Sequence, residues 1–125
     1  MIYLATPYSK YHRGQDEAFI AAANIAGRLI ARGLDVFSPI VHGHPLAIYG
    51  GLPQFDAALW ERVNRPYLEW CDELYVATMP GWQASAGVAH EIKYFADNGL
   101  PISNVVVASC APLENNSVAS GERSA

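Results

Sequence analysis

Four short apolar runs, at 2–5, 34–38, 73–77 and 102–108, are separated by longer stretches with helical apolar periodicity. That alternation constrains the fold more than any other feature of the chain. Ile2-Tyr3-Leu4-Ala5 reads as a buried parallel strand that runs into the loop Thr6-Pro7-Tyr8-Ser9. A helix over 16–32 follows, with Phe19, Ala22, Ala23, Ala26, Leu29 and Ile30 on its inner face and Gly33 as the C-cap. Leu34-Asp35-Val36-Phe37-Ser38 is the second strand, cut off by Pro39. This strand–helix–strand order forms a right-handed crossover. The stretch 39–53 holds His42-Gly43-His44-Pro45 and Tyr49-Gly50-Gly51-Leu52-Pro53, and it reads as a long irregular, functional loop. A second helix covers 54–70, interrupted at Pro66, with Asn64 capping a fresh start. Strand three at 73–77, a helix at 85–98 and strand four at 102–108 complete the pattern, with Gly99 and Pro101 at the last joint. The order implies an α/β protein: a flavodoxin-like or Rossmann-like three-layer sandwich around a four- or five-stranded parallel sheet. One domain is expected over 1–109. The Ser-, Asn-, Glu- and Gly-rich segment 110–125 reads as a flexible tail or an arm on a neighbouring subunit.

Charge and cysteine content narrow the function. The chain has 125 residues, a formal net charge of −4 and no Lys/Arg run. That argues against duplex nucleic acid or an anionic membrane as the main partner. A small nucleotide needs only a local anion site, so mild acidity is compatible with one. Cys71 and Cys110 are too few for a disulfide framework and lack metal-ligand spacing. With no secretory leader and no apolar run of membrane-spanning length in view, a reduced cytoplasmic protein is expected.

The chemistry concentrates in Ser85-Ala86-Gly87-Val88-Ala89-His90-Glu91-Ile92, which opens the third helical stretch. A serine N-cap leaves backbone N–H groups facing the space before the helix, which favours a phosphate or carboxylate there. Helical side chains lean toward the N-terminus, so Glu91 leans over positions 87 and 88, where Gly87 leaves room. Six helical residues span about 9 Å, and the backward reach of the glutamate shortens that to the phosphate-to-C1′ span of a nucleotide. The geometry requires Ser85 to lie outside the helix as its cap. The bland alternative is that Glu91 borders the apolar stripe of Val88, Ile92, Phe95 and Ala96 as a solvated glutamate.

Ligands of parallel sheets bind beyond the carboxyl ends of the strands, where three loops meet here: 6–13, 39–53 and 78–87. They bring Thr6, Tyr8, His42, His44 and Trp82 toward Ser85, Gly87 and Glu91. Tyr8 and Trp82 suit stacking on a base or a place in the core. Lys10, His12 and Arg13 suit phosphate contacts or solvation. His42 and His44 invite a zinc reading, but no third ligand stands at useful spacing, so neither metal nor cofactor is expected. Loop histidines that bind a base or phosphate, or assist proton transfer, fit better. A dinucleotide glycine loop, a phosphate-loop lysine and a nucleophilic serine elbow are all missing. What remains, a lone glutamate with an anion site, aromatics and histidines, suits attack at a sugar C1 carbon.

The opening Ile2-Tyr3-Leu4-Ala5, the strand entry Cys71-Asp72-Glu73-Leu74, and Ser85-Ala86-Gly87-Val88-Ala89-His90-Glu91-Ile92 followed by Gly99-Leu100-Pro101-Ile102 resemble the nucleoside 2-deoxyribosyltransferase superfamily over about residues 1–108. That superfamily includes nucleoside 5′-monophosphate N-glycosidases. Thr6-Pro7-Tyr8-Ser9 and Ser38-Pro39-Ile40-Val41-His42-Gly43-His44-Pro45 resemble a phage or bacterial branch of it. The resemblance implies that Glu91 attacks or stabilises C1′, that Tyr3 orients it, and that Gly87 keeps the pocket open. It also implies that Ser85 takes a 5′-phosphate, where transferases carry an aspartate toward the 5′-hydroxyl. Homodimers or larger assemblies, whose neighbouring subunits complete the pocket, are implied as well. Asn64 stands where the superfamily often has an aspartate serving the sugar or the leaving base. Asparagine cannot transfer a proton, so His42, His44 or Tyr8 assists the leaving base, or activity is altered or lost. The expected function is hydrolysis of the base–sugar bond of a nucleoside 5′-monophosphate, with base exchange or ligand sensing as the alternatives.

Overall fold

A computed structural model describes residues 1–106. The segment 110–125, Cys110 and the last residues expected of strand four lie outside the described residues. Strand β1 (Ile2–Ala5) leads to helix α1 (Gln15–Ala31), strand β2 (Val36–Phe37) and helix α2 (Pro39–Ile48). Helix α3 (Ala57–Trp70), strand β3 (Glu73–Ala77), a 3-10 turn at Trp82–Ala84, helix α4 (Ala86–Asp97) and strand β4 (Ile102–Val105) follow. The strands form one all-parallel sheet in the order β2-β1-β3-β4. This is the three-layer α/β architecture expected from the alternation, with four strands among the described residues.

Strand alternation divides the core. Ile2, Leu4, Tyr75 and Ala77 pack with Ile25, Ala26 and Leu29 of α1 on one face. Tyr3, Ala5, Leu74 and Val76 pack with Leu68 of α3 and Val88 and Phe95 of α4 on the other. Every residue of β1 is buried, as suits a central parallel strand covered on both faces. No helix among the described residues is long and apolar enough to cross a membrane.

Three expectations need correction. Residues 39–48 form a helix rather than an irregular loop. Ser38 caps it by accepting from the Val41 N–H at 3.1 Å, and Pro39 fills the first helical position, where its missing N–H costs nothing. Gly43 belongs in this helix for a packing reason. A Cβ there would stand 3.2 Å from the Trp60 ring of α3. Secondly, Pro66 does not interrupt α3, which is continuous from its Asp56 cap. Pro66 is exposed, so water can satisfy the carbonyl that the missing N–H leaves free. Thirdly, the second strand is only Val36–Phe37, since pairing with β1 is confined to Ile2–Val36 and Tyr3–Phe37.

Helix α3 differs from the others in how little it buries. Leu68 is its only buried residue, while Tyr67 and Trp70 stay exposed. Leu68 and the adjoining Cys71 attach its carboxyl end to the core, and the Trp60 ring meets α2 at Gly43 toward its other end.

Candidate active site

The chain turns from β1 outward to β2, then crosses back past β1 to β3, so the switch point lies between β1 and β3. Helix α4 starts beyond the carboxyl end of β3. Ser85 is its N-cap, accepting from the Val88 N–H at 3.2 Å, and the Ser85 carbonyl accepts from Ala89 at 3.0 Å. A helix has several N–H groups in its first turn without helical partners. With Val88 and Ala89 engaged, those of Ala86 and Gly87 face the space before the helix. A Cβ at Gly87 would meet only Ser85 Oγ, at 3.9 Å, so this approach is open.

Glu91 keeps partial residue exposure, yet its carboxyl group is desolvated. Burial pushes its pKa from the ordinary 4.5 up to about 8, and a hydrogen bond from the Tyr3 hydroxyl pulls it partway back. Tyr3 in turn is 1% exposed. Burial first, then the charge and hydrogen bond of Glu91, hold its hydroxyl far above the ordinary tyrosine value. Tyr3 is therefore a permanent donor that aims the carboxylate. The glutamate on the border of the apolar stripe is not a solvated one.

From Tyr3 a chain of rings leads to α2 and α3. Tyr3 lies against Phe37 with ring centroids 5.6 Å apart, and Phe37 stacks on Tyr67 at 4.2 Å and 4°. His42 joins this group, 5.6 Å from Phe37 and 5.3 Å from Tyr67. Asn64 sits one turn before Tyr67 on α3. Among the described residues, the buried side-chain polar atoms without a protein hydrogen-bond partner are Thr6 Oγ1, His42 Nδ1 and Asn64 Oδ1. An unsatisfied buried polar atom costs about 1–3 kcal/mol. A fold retains such atoms when a ligand or water satisfies them.

His44 has the opposite situation. Residues two apart on a helix point about 200° apart, so His42 and His44 leave α2 on opposite sides. His44 Nδ1 meets the Tyr8 hydroxyl at 2.6 Å, and Nε2 meets Asp16 Oδ1 at 3.1 Å. Its ring stacks on Phe19 at 4.7 Å. Gln54 donates to the Tyr8 hydroxyl at 2.8 Å, and Gln15 donates to the Tyr8 and Ser9 carbonyls. Burial raises the Tyr8 pKa, with Asp16 adding to the rise and the Gln54 hydrogen bond opposing it.

One ring cluster thus links Glu91 and Tyr3 to Phe37, Tyr67 and His42, while Asn64 lies one turn from Tyr67 on α3 and Thr6 follows the central strand. The structure places Tyr8 and His44 in a separate chain against α1. Trp82 is half-buried against the core cluster under α4. Lys10, His12 and Arg13 are exposed, with His12 edge-on to Tyr11 at 4.8 Å. Asp72 receives the Met1 ammonium at 3.2 Å at the strand entrance. Burial pushes the Cys71 thiol up to about 11, so it is no nucleophile. Among the described residues no three His, Cys, Asp or Glu side chains group so as to hold a metal ion. A cavity of about 390 Å³ lies away from this chemistry, on the outer side of α3. It is shallow and lined by paired charges, with Arg65 3.1 Å from Glu61 and 3.9 Å from Glu69.

Sequence reading misses Phe37 and Tyr67 as site walls and Asp16 and Gln54 as partners of the Tyr8–His44 pair. The position of Tyr67 one turn after Asn64 is the only local signal for any of these contacts.

Residues 1–107 match the family described as Domain of unknown function (DUF1937), and the chain belongs to that family. No curated protein matches it.

Proposed function

We propose that this domain is an N-glycosidase that hydrolyses the base–sugar bond of a nucleoside or deoxynucleoside 5′-monophosphate. One observation carries the reading. A desolvated carboxylate, Glu91, is held by the buried hydroxyl of Tyr3 on a helix whose free N-terminal N–H groups and Ser85 cap lie one and a half turns away. A carboxylate stripped of water is a high-energy anion. It is stabilised when positive charge develops beside it, as it does at C1′ when an N-glycosidic bond stretches.

The substrate's phosphate would take the N–H groups of Ala86 and Gly87, with the Ser85 hydroxyl at its edge. An aspartate at 85 would repel it. Glu91 would bond to C1′ or shield its charge, Tyr3 would hold the carboxylate in line, and Asn64 and Thr6 would hydrogen-bond the sugar or base. Incubation with a panel of ribo- and deoxyribonucleoside monophosphates, followed by chromatography for free base, tests this. Release from at least one member, abolished by Glu91→Gln in a folded variant, is the expected result. Sugar trapped by an added second base would move the assignment to base exchange. Asn64 in the aspartate's place favours a second reading, binding without turnover. Measurable nucleotide binding with no base released from any member would establish that instead.

A further inference from the structure

The glycosidase reading leaves one step without a residue. A purine or pyrimidine leaves poorly as an anion, so the departing base must gain a proton. Asn64 has none to give. Tyr3 holds its proton too tightly and is bound to Glu91. We propose that His42, through Nδ1, protonates the leaving base and afterwards activates the water that releases the sugar. This assignment rests on the N-glycosidase reading above.

The two histidines of α2 separate by their hydrogen bonds. Both ring nitrogens of His44 are committed, to Tyr8 and Asp16, and the Tyr8 hydroxyl is committed to His44 and Gln54. The backbone N–H of His42 serves the first turn of α2, donating to the Ser38 carbonyl at 3.1 Å. Its Nδ1, though buried, has no protein partner. The His44 contacts lock α2 against α1, and the helix geometry then directs His42 the other way. There its ring touches Phe37 and Tyr67, and Phe37 touches Tyr3, the partner of Glu91. A free imidazole nitrogen on α2 and a carboxylate on α4 therefore stand at the two ends of one cluster, joined through Phe37 and Tyr3, and a nucleotide laid along it would meet both.

In the first step the C1′–N bond breaks and its electron pair goes to the base. The His42 Nδ1 proton moves to a ring nitrogen of the base, and a Glu91 carboxylate oxygen bonds to C1′. In the second step water attacks C1′ and gives its proton to His42 Nδ1. The Glu91–C1′ bond breaks with its electrons returning to the carboxylate. Base, sugar phosphate and the starting protonation states result, and water is the only co-reactant.

A substrate pair tests the assignment: the nucleotide that wild type cleaves fastest, and a 4-nitrophenyl ribofuranoside 5-phosphate, whose leaving group departs without a proton. In His42→Asn an amide occupies the place of Nδ1 and can hydrogen-bond but not donate a proton in catalysis. kcat/KM reports the first step, and for the nucleotide it should fall about 10²–10³-fold, the usual worth of a general acid. For the nitrophenyl compound it should change less than about threefold. Equal losses on both substrates, or no loss on either, would overturn the role of His42 while leaving the glycosidase reading intact. A wild type inert toward both would overturn the two together. Melting curves check folding, and His42→Gln carries the same comparison if His42→Asn does not fold.

Discussion

The two ends of the α2 histidine pair show two uses of buried polarity. Around His44 every polar group is answered: Asp16, Tyr8, Gln54 and Gln15 close a chain that fastens the loop after β1 and helix α2 onto α1. Around Glu91 the polar groups are under-answered. A carboxyl is desolvated against one hydroxyl, and His42 Nδ1, in the ring cluster that reaches Tyr3, is buried without a protein partner. Satisfied networks hold a fold in place, whereas unsatisfied ones store free energy that a bound molecule can recover. Helix geometry thus divides two histidines, two residues apart, between one whose ring nitrogens are both bonded and one whose Nδ1 is left open.

The comparison breaks most visibly at Glu91. Glu91→Gln should lower base release by at least about 10⁴-fold, as expected when a nucleophile is lost. Its melting temperature should not fall. Residual activity near that of wild type, measured by chromatography, would place the chemistry elsewhere.

The next effect is on stability against pH. The folded-state pKa of Glu91, about 8, lies above the ordinary 4.5, so its contribution is fully present below pH 4.5 and is lost as pH rises through 8. At about 1.4 kcal/mol per unit the ceiling is ~5 kcal/mol. Urea melts of wild type should weaken across this window relative to those of Glu91→Gln, and parallel curves would show that the carboxyl is not desolvated. Activity runs the other way, since the ionised form is the reactive one. For the 4-nitrophenyl substrate, whose leaving group departs without a proton, kcat/KM should climb with pH up to about 8.

Third in size is His44→Ala, which removes two hydrogen bonds and a stacked ring and should cost about 2–4 kcal/mol. That corresponds to roughly 4–8 °C per kcal/mol in a domain of this size. His42→Ala should cost clearly less, because it also removes an unsatisfied atom. Equal costs in calorimetry would erase the distinction between the two sides.

The smallest effect separates binding from folding. Ser85→Asp retains an N-cap, so stability should stay within about 0.5 kcal/mol. KM for a 5′-monophosphate should rise about tenfold through charge repulsion, with the unphosphorylated nucleoside unaffected. A KM unchanged for both would move the phosphate away from this helix.

How much of this is legible in the sequence depends on how local its cause is. β1, β3 and α4 are legible because apolar runs, turn residues and the Ser85 cap act within a few positions. Helix α2 is not, because Gly43 and Pro45 advertise a loop. What holds it helical is distant: Trp60 lying over Gly43, and Asp16 and Tyr8 gripping His44. A local signal does exist in Ser38-Pro39, a cap followed by a first-turn proline. Pro66 misleads similarly, since its exposure is a tertiary fact. In the site, the Glu91 helix is legible from spacing, and Tyr3 only through resemblance. The Phe37–Tyr67 stack comes from β2 and α3 meeting in space and has no signature along the chain.

The small buried area of α3 gives the buried polar atoms at His42 and Asn64 a way to become accessible. Segments with few buried contacts detach at low free energy while the core stays intact. α3 reaches the core only near its last turn, through Leu68 and the adjoining Cys71, its amino-terminal half resting on Gly43 by the Trp60 ring, and it bears Asn64 and Tyr67. Swinging its amino-terminal half outward would part Trp60 from Gly43 and uncover sealed polar atoms, with no loss of sheet pairing. Backbone amides at 57–64 should then trade hydrogen for deuterium soonest among the helices, and slow down once a nucleotide is seated.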